Sequence, residues 1–248
     1  MTFAALILAG SRPGEDAAAL FEGYSHKALI ELQGRTLLQR VVEAVRASGA
    51  QRIAVSCAEG AVADLARSLG AEVLAPQSGP SGSVLSAFAE LGTPLLVTTA
   101  DHALLEAAWI KQLIEQTPAD CDLSLMLAQQ PEVELAMPGS RRTYLRFADG
   151  EWSGCNLFFL RTTAARAAIE LWQTIEVDRK RPWRIALRLG PATIFNYLLG
   201  RLTLAEGLSR LGARIGISVL PVAASNGLAA VDVDKPQDLA DIKRLLGI

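Results

Sequence analysis

The first hundred residues alternate short apolar runs with segments of helix length, and that alternation leaves few folds open. Residues 3–8, 52–56, 72–74 and 95–99 are of strand length and rich in apolar or β-branched side chains. Between them, residues 36–48, 61–69 and 83–91 carry apolar side chains at helical spacing. Repetition of strand, helix and strand is the signature of a mostly parallel sheet covered by helices. Gly49, Gly70 and Gly92 fall just after the three helical segments, where a left-handed C-terminal cap is wanted.

The second half is less regular. Residues 123–127, 144–147 and 157–160 read as strands, and the Asp149-Gly150 pair suits a tight turn. Helical segments are expected at 164–173, 192–199 and 203–211, strands near 215–220 and 229–232, and a last helix from Pro236. No linker rich in Pro, Gly or Ser divides the halves. The expectation is therefore one domain, with residues 1–138 as one half and an elaborated second lobe at 139–248.

Composition narrows the function classes. Half of the 248 residues are apolar, ample for a sizeable core. A net charge of -2 argues against a nucleic-acid binder. The charge is uneven: residues 139–215 hold 13 Lys/Arg against 6 Asp/Glu, which favours an anionic small ligand there. Cys57, Cys121 and Cys155 are odd in number and form no CxxC pair, as expected of a reduced protein without a zinc site. The apolar run at 3–9 is too short for a signal segment, and no apolar stretch reaches the ~20 residues needed to span a bilayer. The expected location is the cytoplasm.

Chemistry enters with the stretch LILAGSRPG, which includes Leu8, Ala9, Gly10, Ser11 and Arg12. In an open α/β sheet, ligands bind beyond the carboxyl ends of the strands, and these residues follow the first one. A glycine there lets backbone N–H groups approach phosphate oxygens, and Arg12 can add a charge-assisted fork. A plain surface turn with a solvated Arg explains the same residues equally well. The pattern is neither a dinucleotide GxGxxG nor a P-loop.

Downstream, SHKALIELQGRTLLQRVVEAV supplies a lysine, Lys27, then a short strand, a glycine and an amphipathic helix. Together with LILAGSR, this order resembles the opening of the MobA-like nucleotidyltransferases, an NTP-transferase family of GT-A-type fold. Leu8, Ala9, Gly10, Arg12, Lys27, Leu29, Gly34 and Leu37 match that pattern. Ser11 stands where the family has a second glycine, and the spacer from Arg12 to Lys27 is longer. The resemblance implies a Rossmann-like, three-layer α/β/α fold with a mostly parallel mixed sheet.

Further motifs follow in the family's order. GPSGSVLSAFAEL places Ser81, Gly82 and Ser83 where the family reads the nucleotide base, and the same residues suit a helix N-terminus. LLVTTADHALL ends an apolar strand on Asp101, which the resemblance makes a metal ligand. A carboxylate there is costly unless solvated or paired, and Mg2+ with substrate phosphates supplies the pairing. The other reading of Asp101 is a cap for a helix beginning near Glu106. AAVDVDKPQDL resembles the family's C-terminal ending. Asp234 with Gln237 forms a D-x-x-Q capping pattern, which leaves Asp232 as the second expected metal ligand. SGCNLFFL resembles the segment lining the acceptor side, with Gly154 and Asn156 as acceptor-binding residues.

The implied activity is transfer of a nucleotidyl group from an NTP, CTP or GTP favoured, to a phosphorylated small molecule with loss of pyrophosphate. Lys27 and Arg12 would neutralise the triphosphate. The part least like the family is the basic helical insert at about 174–214, where Arg179, Lys180, Arg181, Arg184 and Arg188 surround Trp183. Arg181 is a candidate acceptor ligand. A peripheral contact with anionic membranes through residues 179–188 is a second reading, and a solvated face on a packed hairpin is a third. Two rival functions stand beside the transferase. One is a GT-A glycosyltransferase, for which the DxD at Asp232–Asp234 lies too near the C-terminus. The other is a non-catalytic nucleotide-binding protein.

Overall fold

The computed structural model describes residues 1–10, 21, 23–140, 142–178 and 190–248. Ser11, Arg12 and the 179–189 portion of the basic insert, Arg181 included, lie outside the described residues. Four of the strands read from apolar runs form the parallel half of the main sheet: β1 (Ala4–Leu8), β4 (Arg52–Ser56), β5 (Glu72–Leu74) and β6 (Leu95–Thr99). A separate hairpin pairs β2 (Glu31–Leu32) with β3 (Arg35–Thr36). The second half adds β7 (Leu123–Gln129), β8 (Leu145–Phe147), β9 (Gly150–Leu160) and β10 (Val219–Ala223). The strand order is β10-β7-β9-β6-β1-β4-β5, with β8 on β9. Within the main sheet, among the described residues, only the pairings made by β9 are antiparallel, so that sheet is mixed and mostly parallel.

Helices cover both faces. Strand alternation sends Ala5 and Ile7 of β1 to one core and Ala4 and Leu6 to the other. The first core receives Val41 and Val45 of α1 (Leu37–Ala47), Val62 and Ala66 of α2 (Ala61–Ser68), and Trp109 and Leu113 of α4 (Ala107–Glu115). The second receives Val84 and Phe88 of α3 (Pro80–Leu91) and Ile169 of α6 (Arg166–Asp178). Each Val, Leu, Ile or Phe among these, fully buried, favours folding by roughly 1.5–3 kcal/mol over an exposed one. The three layers are those of Rossmann-like α/β/α folds.

Gly49, Gly70 and Gly92 do end their helices with positive φ, at 102°, 73° and 72°. Thr203 and Glu206 form a reciprocal capping box at the start of α8 (Leu204–Arg214). The strand expected at 229–232 is not formed. Asn226 accepts from the Leu228 amide and starts a 3-10 turn, Gly227–Ala230, that lies on α5 (Gln130–Ala136). The approach is close enough that a Cβ on Gly227 would collide with the backbone of Glu132 and Val133. After the turn the chain passes the carboxyl end of β6, where the Val233 amide reaches the Asp101 carbonyl, and enters α9 (Pro236–Leu245); α7 (Pro191–Leu198) precedes α8.

Candidate active site

The chain leaves β1 for β4 on one side and later returns to β6 on the other, so the strand order reverses at β1. Ligands of open α/β sheets bind in the crevice at such a reversal, beyond the carboxyl ends of the strands. Leu8 and Thr99 pair at those ends. The Ala100 amide donates to the Leu8 carbonyl at 2.9 Å, placing Ala9 and Gly10 beside the segment that carries Asp101. A Cβ on Gly10 would meet nothing among the described residues.

Three carboxylates gather on this crevice. The Val233 amide donates to the Asp101 carbonyl at 3.0 Å and ties the C-terminal segment to the end of β6. Val231 and Val233 are buried with Ile30, Leu32 and Leu37. Alternation then turns Asp232 and Asp234 the other way, towards Asp101. The helix after Asp101 is capped at Glu106, five positions on, so Asp101 caps no helix. Asp234 is not the N-cap of α9 either. That cap is Lys235, and the Asp238 carboxylate accepts from the amides of Asp234 (3.0 Å) and Lys235 (2.8 Å). Asp238 thus supplies the acceptor that the helix start needs, and the Asp234 side chain is released to Lys27.

Lys27 opens the 3-10 turn Lys27–Leu29, whose N-cap, His26, accepts from the Ala28 amide through Nδ1. From there its Nζ reaches Asp101 Oδ2 at 3.1 Å and Asp234 Oδ1 at 3.2 Å. Lys27 and Asp101 are 17% and 18% exposed and Asp234 is 58%, so the Asp101 contact is the better shielded. The two ends of the sequence therefore meet through one ammonium group.

Asp232 has different partners. Arg142 donates through Nη1 to Oδ1 and through Nη2 to the Asp232 carbonyl, the latter at 2.7 Å. Asn156 Nδ2 donates to Oδ2 at 2.7 Å. Asn156 reaches it because β9 bulges against β7: Leu125 pairs with Phe158, but Leu127 pairs with Gly154. Asn156 takes up the extra chain with φ 50°, a conformation asparagine tolerates better than most residues. Burial, reinforced by the charges of Asp234 and Asp101, lifts the Asp232 carboxyl to about 6 against the pull of Arg142.

His102, next to Asp101, is fully buried and stacks on Trp109 with ring centroids 6.0 Å apart. Burial holds it neutral by lowering its pKa to about 4, despite the nearby Asp101 charge. The sign follows directly. Between pH 6.5 and 4 the unfolded chain takes up a proton at this position and the native fold does not, so His102 removes stability as pH falls through that window. The full difference is about 3 kcal/mol. His102→Phe is therefore expected to gain on the parent by up to about that amount between roughly pH 7 and pH 4 in urea melts. Parallel pH profiles would refute the assignment.

Ser81 and Ser83 are buried at the start of α3, 2% and 6% exposed. Neither caps the helix, whose N-cap is Gly79 with Pro80 in the first turn. Ser83 Oγ accepts from the Gln77 amide at 3.0 Å, and Ser81 donates its hydroxyl to Glu176 of α6. Gly82 packs near Gln77. A Cβ on Gly154, two positions before Asn156, would meet nothing among the described residues. Lys27, Asp101, Asp232 and Asn156 are thus brought to one crevice. Asp234 and Arg142 complete it, and sequence reasoning assigned neither of them a part in it. Arg142 carries no local signal, because its partner lies 90 positions away.

The donor set suits a hard divalent cation. The groups are carboxylate oxygens, without thiolate or imidazole, and Asp101 Oδ1 is buried with no partner among the described residues. No cluster of three or more His, Cys, Asp or Glu able to hold a metal by itself occurs among the described residues. Mg2+ needs no such cage, since it is commonly held by one or two carboxylates together with substrate phosphates.

A sheet of this order, with acidic and basic groups at its β1/β6 reversal, is that of a ligand-binding, Rossmann-like α/β protein. The model of the MobA-like NTP transferase domain matches residues 5–173, and the chain belongs to that family. A hypothetical transferase from Thermus thermophilus superposes with a TM-score of 0.82 at 28% identity, covering 96% of this chain and all of that one. CMP:2-keto-3-deoxy-manno-octonic acid synthetase, solved with CTP, shares the fold at 14% identity and TM-score 0.59, with 98% of each chain covered. So does 2-C-methyl-D-erythritol 4-phosphate cytidylyltransferase, also from Thermus thermophilus, at 17% identity, TM-score 0.55 and full coverage of both chains. No curated protein matches the chain.

Proposed function

We propose that this chain is a cytoplasmic, Mg2+-dependent nucleotidyltransferase that moves an NMP group from CTP or GTP to a phosphorylated small-molecule acceptor. The observation that carries the reading is Lys27, held at 3.1 and 3.2 Å from two carboxylates at the sheet's reversal point. An acceptor phosphate oxygen would form a bond to the α-phosphorus in line, the bond to the β-phosphate bridging oxygen would break, and pyrophosphate would leave. No protein nucleophile is needed, so catalysis rests on position and charge. Asp101 and Asp232 would hold Mg2+, which when bound neutralises phosphate charge and polarises the α-phosphate. Lys27 and Arg12 would neutralise the triphosphate, the backbone of 8–11 would cradle it, and residues 81–83 would face the base. Gly154 and Asn156 would line the acceptor side, with Arg181 a candidate beyond them. One fold neighbour is a cytidylyltransferase by name and another was solved with CTP, which favours CTP.

No helix among the described residues is long and apolar enough to cross a membrane. A nucleotide panel tests the proposal. CTP or GTP with Mg2+ at about a hundred times Kd is expected to raise Tm by ~5–10 °C, with little response to the other. The responding nucleotide, offered phosphorylated alcohols, should release pyrophosphate. Activity that persists in full in both Asp101→Ala and Asp232→Ala would sink the metal assignment.

A further inference from the structure

Each oxygen of Asp232 accepts a hydrogen bond, Oδ1 from the charged Arg142 and Oδ2 from Asn156. Arg142 also grips the carbonyl of the same residue, so its guanidinium is locked to this one position by two donors. Its side chain is 9% exposed, and its Nε is buried without a partner among the described residues. Asp101 differs, since one oxygen is on Lys27 and the other is unpartnered among the described residues. A divalent cation therefore meets no competing cation at Asp101 Oδ1 among the described residues, whereas at Asp232 Oδ1 it meets the Arg142 guanidinium.

We infer that Arg142 is the resident counter-cation of Asp232, displaced when a divalent metal arrives and then free to take a phosphate oxygen of the incoming ligand. This rests on the nucleotidyltransferase reading for the identity of that ligand, but not for the exchange itself. Charge explains why the two events belong together. Asp101, Asp232 and Asp234 carry three negative charges, and Lys27 and Arg142 carry two positive ones. A metal entering alone would strand a buried guanidinium. A metal entering with a polyphosphate gives that guanidinium an anion suited to its fork. Metal and polyphosphate are thus expected to bind with positive coupling through Arg142.

The test uses Mn2+ as a probe, followed by electron paramagnetic resonance at about pH 8 without nucleotide. Arg142→Gln is expected to bind Mn2+ about tenfold more tightly than the parent, because the competing cation is gone. With Mn2+ saturating, pyrophosphate should bind the same variant about tenfold more weakly by calorimetry. Unchanged or weaker Mn2+ binding by folded Arg142→Gln overturns the proposal. Unchanged pyrophosphate binding overturns the hand-over to phosphate. Arg142→Lys keeps the charge but cannot fork to side chain and carbonyl together, so its Mn2+ affinity should lie between the two. If Arg142→Gln does not fold, a parent-like Arg142→Lys value refutes the exchange. A parent enzyme that turned over no NTP would sink the function proposed above and leave the Mn2+ result standing.

Discussion

Asp101→Asn is expected to lower kcat by on the order of a thousandfold, with Tm changed by only a few degrees. The substitution is nearly isosteric, and Asn can still accept from Lys27 through its side-chain oxygen. The Val233 amide bonds to the main-chain carbonyl of Asp101, so the join between the C-terminal segment and β6 survives. What disappears is a formal charge at the better shielded of the two described Lys27 contacts, together with the one carboxylate oxygen in the cluster that is buried and without a partner among the described residues. A thousandfold corresponds to about 4 kcal/mol of lost transition-state stabilisation, within the several kcal/mol a positioned metal supplies. Asp234→Asn should cost far less, because Asp234 is 58% exposed and water substitutes for much of its interaction. Pyrophosphate release at saturating nucleotide and Mg2+ measures both variants. An Asp101→Asn enzyme within about tenfold of the parent would remove Asp101 from the reaction.

The parallel half of the sheet was legible because each strand is a short apolar run closed by a polar or glycine-rich turn. β4, β5 and β6 begin and end where the runs do. Asp101 was legible for the same reason, as an acid ending a buried strand. The C-terminal segment misled, because Ala-Ala-Val-Asp has the apolar character of a strand but finds no strand to pair with. Its hydrogen bonds go to the 3-10 turn and to Asp101 instead. The cap of α9 moved by one residue since two carboxylates compete for it, and Asp238 wins while Lys27 takes Asp234. The Asn156 amide reaches Asp232 only because β9 bulges, and a bulge set by pairing with a distant strand leaves no periodic trace in sequence.

Lys27→Met should reduce kcat by about 10²–10³ while sparing the fold, and Lys27→Arg should restore only part of the loss. Methionine keeps the length and much of the apolar stem but removes the ammonium that bridges the two carboxylates at 3.1 and 3.2 Å. In the proposed reaction that ammonium faces negative charge on the triphosphate as the bond to pyrophosphate breaks. Its removal should therefore fall on kcat more than on the KM for the acceptor. Arginine keeps the charge, but its planar, wider head cannot sit as a single point donor between Asp101 and Asp234. The same variant has an opposite effect on the resting site. With Lys27 gone, Asp101 and Asp234 lose a competing cation, so Mn2+ alone should bind Lys27→Met at least as tightly as the parent. Slower turnover with undiminished metal binding separates a residue that neutralises phosphate from one that merely holds the carboxylates apart. Weaker Mn2+ binding in a folded Lys27→Met protein would assign Lys27 to organising the acidic cluster instead.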